Sequence, residues 1–493
     1  QIAFGLTALE NRAPPAFATP EAALRRLPIW DAGRVADVAG VPPAAVALRP
    51  SDGGERASWL VAPVSPTTGS APSPRPATPA TPAGVAAAGT AQAWTAGAPA
   101  TLRVAVETDT GLVVSGVTAA DSAVWFAPGI RAIAVASPDT APAVRTAGIV
   151  LAGAWRRAAL AWTLQSAALA RSETDGQVLL WRRDVEERLS RLAPFATFGR
   201  PAPATVDGAL WWVSWGYVRG DAFPLVRPLP WRDGTARYFR AGILGAVRAA
   251  TGETHVWLAP GHDSLTAAWA RHFVPLIEPE AAIPARLRSG IPYPDEAFGI
   301  AVAQLLRARD DSTLVTRPRA PFQVIAPAAR PELWMAVGLE SGRPPHFDGL
   351  VAGTVAPDGP RLTLWRPAAA TRLPGELLGS SAVRPGELRL WLGGRALVTV
   401  QAQFVHPIGA EAPLPHEVAQ VYVSVGERIG HGPTVDAALR GEVPVDTSLA
   451  ARWDRARRLI TRADSALTAG DLELFGRLFR ELVRQLAPGL EPR

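Results

Sequence analysis

Apolar positions along this chain follow two periods, and each period predicts a different element. Alternating or continuous apolar runs mark strands at 102–108, 210–218, 254–258, 388–392, 396–405 and 418–425. The pair Gly393-Gly394 lies between two of these runs. It reads as a hairpin turn, because glycine takes positive φ without a steric cost. Spacing of three and four predicts helices near 145–170, 237–250, 264–272 and 295–308. Strands mostly joined by turns, with helices grouped rather than strictly alternating, predict an α+β fold with mixed, largely antiparallel sheets.

The clearest helical period lies at the C-terminal end. Leu449, Trp453, Ala456, Ile460, Ala463 and Leu467 share one face, Gly470 supplies a stop, and Asp471 an N-cap. Leu474, Phe475, Leu478, Phe479, Leu482 and Val483 then line a second helix, so an antiparallel helical hairpin is expected over 446–493. Upstream, 1–63 reads as an N-terminal α/β segment of short helical stretches and loops. Residues 64–100 are rich in Pro, Ala and Thr and lack the apolar side chains to offset chain entropy, so a linker or long surface loop is expected. Residues 101–445 are then the α+β core, with a division into subdomains near 310.

Composition narrows the chemistry. With 493 residues, 48% hydrophobic and 19% charged, the chain is long enough for two or three globular domains. It has no cysteine, which excludes disulfides, thiolate catalysis and cysteine-held metal clusters. All 50 basic residues are arginine, which excludes a Schiff-base lysine and a Walker lysine. The net charge is +6, and the arginines are interleaved with carboxylates, as in Trp181-Arg182-Arg183-Asp184-Val185-Glu186-Glu187-Arg188. Nucleic-acid binding concentrates charge on one face, so no nucleic-acid partner is expected. Peripheral attraction to anionic lipid stays open. The run 147–170 comes nearest to a membrane span, but Arg156-Arg157 interrupt it and Gln165 and Ser166 follow, predicting an amphipathic or buried helix. A chain that opens on Gln1, with Met335 its only methionine, is expected to derive from a longer precursor carrying a secretory signal or membrane region.

Several motifs recur in one order. They are Ile2-Ala3-Phe4-Gly5-Leu6, Leu27-Pro28-Ile29-Trp30-Asp31, Arg183-Asp184 through Ala193-Pro194-Phe195, and Asp207-Gly208-Ala209-Leu210-Trp211-Trp212-Val213. Further on come Ile283-Pro284-Ala285-Arg286-Leu287, Tyr293-Pro294-Asp295-Glu296-Ala297-Phe298, Gly426-Glu427-Arg428-Ile429-Gly430-His431-Gly432-Pro433-Thr434 and Ala466-Leu467-Thr468-Ala469-Gly470-Asp471. This collinear series resembles uncharacterised protein family 0182, bacterial membrane proteins in which several N-terminal transmembrane helices precede a large extracytoplasmic region. The resemblance is to that extracytoplasmic region. It implies an extracytoplasmic, membrane-associated location, on the periplasmic or outer face of the cytoplasmic membrane. It carries no established activity. The chain departs from the family pattern at polar positions, which are here Trp215, Ala241, Leu244, Arg248 and Ala250.

The candidate chemistry is sparse. Gly261-His262-Asp263-Ser264 gathers triad residue types, but adjacency is not triad geometry, and Asp263 or Ser264 reads as a helix cap. His416-Glu417 has Gln420 where a zinc helix needs its second histidine. The glycines of 426–432 read as a tight strand–helix turn with Thr434 as N-cap. No catalytic, cofactor or metal residue is assigned, and no cofactor is expected. Of the 17 tryptophans, Trp212, Trp215 and Trp231, with Phe475 and Phe479, are the candidate interaction surface, core packing being the other reading for the tryptophans. The expected function is a non-catalytic structural or interaction domain, an accessory subunit contacting membrane-embedded proteins or its own upstream membrane helices. The alternatives are an envelope glycan-binding module using exposed tryptophans, and a hydrolase without a recognisable motif.

Overall fold

The computed structural model describes residues 9–49, 57–62, 102–108, 112–117, 124–130, 133–136, 145–146, 148–165, 169, 176–223, 226, 228–288, 290–307, 316–327, 332–342, 346–367, 371–372, 383–405, 418–426, 428–443, 459–460, 463–464, 467, 474–476 and 478–479. The expected linker at 64–100, His406, His416 and the Gly470-Asp471 turn lie outside them. The chain is mixed α/β, with several mostly antiparallel sheets.

A five-stranded sheet occupies the middle of the sequence: β1 (Ala196–Phe198), β2 (Ala202–Val206), β3 (Ala209–Gly220), β4 (Tyr238–Arg248) and β5 (Thr254–Leu258). It runs β2-β3-β4-β5, with β1 beside the end of β3. Asp207-Gly208, both at positive φ, turn β2 into β3. Each face of the β3–β4 ribbon carries a core. Leu210, Trp212 and Val218 pack with Phe126, Leu189 and Val247 on one side. Val213, Trp215 and Tyr217 pack with Leu244, Trp257 and Leu287 on the other.

The helix expected near 237–250 is therefore β4. Gly242 and Gly245 disfavour a helix interior, and their missing side chains admit neighbouring helices. A Cβ on Gly245 would lie 2.6 Å from the Leu189 side chain of helix α2 (Val185–Leu192). The pairing also shifts: Gly216 faces Ile243 and Tyr217 faces Ala241, so Gly242 is an extra residue in β4. That bulge breaks the period of two and leaves a spacing that imitates a helix. The helix expected near 145–170 is shorter, α1 (Ala154–Thr163), and follows a strand at Ile149–Val150. Helices α3 (Ser264–Arg271) and α4 (Asp295–Arg307) fall where their spacing places them.

Helix α4 lies between two sheets. Ala297 joins the core beneath β3–β4, while Phe298, Ala301 and Val302 pack on Val337, Leu339 and Val351 of a seven-stranded sheet. A six-stranded sheet follows, built around Ala396–Val405 and Val418–Val425, with Gly394 at positive φ in the expected hairpin. Residues 428–432, expected as part of a turn, form a strand; Thr434 then caps the helix Val435–Arg440. The N-terminal segment joins this region: Trp30 meets Phe404 edge-on at 5.0 Å. It also contributes the strands Val46–Arg49 and Ser58–Val61, which pair on through Leu102–Glu107 to Leu112–Val117.

One carboxylate fastens that segment. Glu107 is buried and accepts the backbone N–H of Ile29 (3.0 Å) and Trp30 (3.3 Å) and the indole N–H of Trp59 (2.9 Å). Burial pushes its pKa up to about 7, against the lowering effect of these donors and of Arg389.

Gly245→Ala is expected to wedge Leu189 and to lower unfolding free energy by about 1–3 kcal/mol in denaturant melts. Between the ordinary carboxyl pKa of 4.5 and about 7, the folded protein holds a proton on Glu107 that the unfolded chain releases. Stability through this group therefore falls as pH rises across that window, by up to about 3 kcal/mol. Melts of Glu107→Gln across the same window are expected to lack this slope.

Candidate functional site

Helix α1 stands on a small core of its own. Leu151, Ala161, Leu169 and Leu179 are buried together, with Leu160 and Leu164 packed against them. At 100° per residue, Leu160, Ala161 and Leu164 share the side that meets the body. Trp155, Ala158, Ala159 and Trp162 share the opposite side, and all four are exposed. Trp155 is 89% exposed and Trp162 79%. Seven residues at 1.5 Å each put their Cα atoms about 10 Å apart along the axis, on one line.

Two indoles so presented leave on the order of 300 Å² of apolar surface in water, comparable to the largest patch on an ordinary monomer. The helix contains Arg156 and Arg157 and no acidic residue. Arg156 donates to the Val150 carbonyl at 3.3 Å, at the root of the helix. The combination is a pair of amphipathic rings carried on a cationic helix.

The tryptophans selected from sequence sit elsewhere. Trp212, Trp215 and Trp231 are buried, and each indole N–H has an interior acceptor: Phe126 O at 2.9 Å, Pro292 O at 2.8 Å, and the Glu296 carboxylate. They pack the two cores flanking the central sheet and do not form a surface. Phe475 is half-buried, and Phe479, 50% exposed, stacks on it at 5.8 Å. Trp155 and Trp162 were not selected, although their seven-residue interval placed them on one helix face. The polar positions of the family resemblance also fall inside. Trp215 and Leu244 are cross-strand partners, Ala241 lies opposite Tyr217, and Ala250 is buried. Arg248 is half-buried and reaches Glu253 at 3.8 Å.

The His-Asp pair singled out from sequence and the carboxylates at the start of α4 are engaged in holding the fold. Asp263 caps α3 by accepting the Thr266 N–H at 3.0 Å and also accepts the Tyr238 hydroxyl. Burial acts to raise its pKa, but these bonds and Arg240 outweigh it and hold Asp263 below the usual carboxylate range. His262 Nδ1 sits 2.9 Å from the Ala259 carbonyl. Asp295 accepts from Tyr217 at 3.1 Å, and Glu296 accepts from Trp231 and from Arg232 at 2.6 Å. No group of three potential metal ligands occurs among the described residues, and no described helix is long and apolar enough to cross a membrane.

Residues 144–308, which include α1 and the central sheet, match a family model described as Uncharacterised protein family (UPF0182). A UPF0182 protein of Paenarthrobacter aurescens (strain TC1) is 24% identical over 339 residues, covering 53% of this chain and 33% of its own length. One from Synechococcus sp. (strain CC9311) is 30% identical over 189 residues, covering 35% and 19%. The UPF0182 protein alr1037 of Nostoc sp. (strain PCC 7120 / SAG 25.82 / UTEX 2576) is 28% identical over 171 residues, covering 32% and 17%. The chain thus spans a third or less of the length of these curated relatives. No solved structure matches it.

Core and surface tryptophans separate in a stability measurement. Replacing Trp155 and Trp162 together by Ser is expected to leave the denaturation midpoint within about 0.5 kcal/mol of the parent. Trp212→Ala is expected to cost about 3–5 kcal/mol.

Proposed function

Since the chain belongs to the UPF0182 family, an uncharacterised one, its role has to be read from its own surface, and we propose that it is a non-catalytic extracytoplasmic interaction domain that rests on a membrane through α1. The observation that carries this reading is the pair Trp155 and Trp162, nearly bare of protein contact, on a helix that also exposes Arg156. Indole rings favour the head-group layer, where an apolar body and a polar N–H are both accommodated. Arginine beside them is attracted to anionic lipid. A short helix lying in the interface plane needs no spanning length.

In this reading the domain works as an accessory part of a membrane assembly, contacting embedded subunits or membrane helices of its own longer chain. Its fold is of the α+β kind, closed at the C-terminal end by an antiparallel helical hairpin. Leu459, Ala463 and Leu478, buried together with Leu474 and Phe475 packed on them, support that closure.

The test is flotation of the full chain with vesicles of neutral lipid alone and of neutral lipid with phosphatidylglycerol. Binding is expected to rise with anionic content and to fall at least tenfold when Trp155 and Trp162 are both Ser, with the melting curve unchanged. Binding that the double substitution leaves intact would overturn docking through α1. Retention on peptidoglycan in place of vesicles would move the exposed tryptophans to glycan stacking.

A further inference from the structure

The tryptophan face leaves unexplained a cavity of about 620 Å³ between α2 and the turn joining β4 to β5. We propose that this cavity is a binding site for a phosphate ester. Three guanidinium groups line it, those of Arg182, Arg188 and Arg191, together with the hydroxyl-bearing Thr251 and Thr254.

The charges there are out of balance. Arg188 is half-buried, and its bonds go to neutral oxygens: Nε donates to Thr254 Oγ1 at 2.8 Å and a terminal nitrogen to the Arg182 carbonyl at 3.5 Å. Its guanidinium lies 4.8 Å from the centre of the Phe126 ring. Among the described residues neither Arg188 nor Arg191 has a carboxylate within ion-pair distance. Arg182 is stacked on Trp181 at 4.3 Å and is 3.6 Å from Glu187, beyond hydrogen-bond reach. The carboxylate lining the cavity, Glu253, is already shared by His255 at 3.1 Å and Arg248 at 3.8 Å.

A partly desolvated cation without a counter-charge is costly, and an anion entering the cavity removes that cost. Burial lowers the pKa of Arg188, which has the same physical origin. Guanidinium forks and threonine hydroxyls are the donors that recognise tetrahedral oxyanions. The volume lies in the range of small-molecule sites and well exceeds a bare phosphate, leaving room for a polar organic moiety on the ester. The backbone of Arg182 adds a constraint. It is held at φ +52, a conformation that non-glycine residues adopt rarely and that persists where the surroundings enforce it.

Such an ester reaches the cavity either as a soluble molecule or as a lipid head group, and the site does not depend on α1. The experiment is calorimetric titration of the full chain, at low ionic strength, with inorganic phosphate and with glycerol 3-phosphate, alongside vesicles containing phosphatidylglycerol. Saturable binding is expected, tighter for glycerol 3-phosphate than for inorganic phosphate, and weakened about tenfold by Arg191→Gln, whose exposed position leaves folding unchanged. Arg188→Lys keeps the charge but removes the fork and is expected to weaken binding as well.

Glycerol 3-phosphate binding with these losses assigns a soluble ester. Vesicle binding that persists in the Trp155, Trp162 double Ser variant and falls in Arg191→Gln assigns a head group. Absence of saturable binding in every arm, or binding that Arg191→Gln leaves unchanged, overturns the site.

Discussion

Because β3 and β4 carry apolar side chains on both faces, a layer has to cover each side of the ribbon. Helices α2 and α3 approach one side, where Gly245 and Gly242 leave space for Leu189 and Thr266. Helix α4 and the chain leading into it close the other. Every polar group on so enclosed a ribbon needs a partner inside the protein. The indole N–H of Trp212 finds the Phe126 carbonyl, that of Trp215 finds Pro292 O, and the Tyr217 hydroxyl reaches Asp295. These bonds fasten the flanking segments at defined heights along the ribbon. The motif Tyr293-Pro294-Asp295-Glu296 is thereby accounted for structurally: at the start of α4, Asp295 accepts from Tyr217 of β3 and Glu296 from Trp231 and Arg232.

The same principle explains the difference between the two sets of tryptophans. An indole in the interior supplies a large apolar body and one donor, and each of the buried three has both satisfied. Trp155 and Trp162 have neither need met by the protein, since α1 uses its other side to cover the small core around Leu179. Glu107 shows how far such satisfaction extends. Three donors surround one buried carboxylate that links Ile29, Trp30 and Trp59, yet desolvation still outweighs them and raises its pKa.

Strands whose apolar runs are long and rich in branched residues, such as Ala396–Val405 and Val418–Val425, were legible in the sequence with their boundaries, as were α3 and α4. The miss at β4 has a specific cause. A strand buried on both faces loses its alternation, and the bulge at Gly242 restores an apparent spacing of three and four. The caps were legible, Thr434 outright and Asp263 as one of two adjacent choices with Ser264, because capping depends on local residue types. The surface of α1 was obscured because the run around it was weighed for length and apolarity, as a membrane span is, when its information lay in direction around the helix axis. The arginine-lined cavity was hidden for another reason: Arg182 and Arg188 lie close in sequence to carboxylates, and only the fold reveals that Glu253 is already committed and that Arg188 bonds to neutral oxygens.

Both surface features carry positive charge, yet they draw on different physics and respond differently to salt. Attraction of the exposed Arg156 to an anionic bilayer acts across water and is screened over roughly 8–10 Å at physiological ionic strength. Transfer of the Trp155 and Trp162 rings out of water is strengthened, if anything, by excluded salts. In the cavity, Arg188 is partly withdrawn from solvent, so its interaction with an entering anion is screened less than that of an exposed arginine. Rising salt therefore weakens electrostatic approach of α1 first, then the cavity, and leaves indole insertion largely in place. The sequence-wide charge of +6 blends these contributions into one weak signal. The fold separates them, by placing Arg156 on an exposed helix and another group of arginines around a cavity.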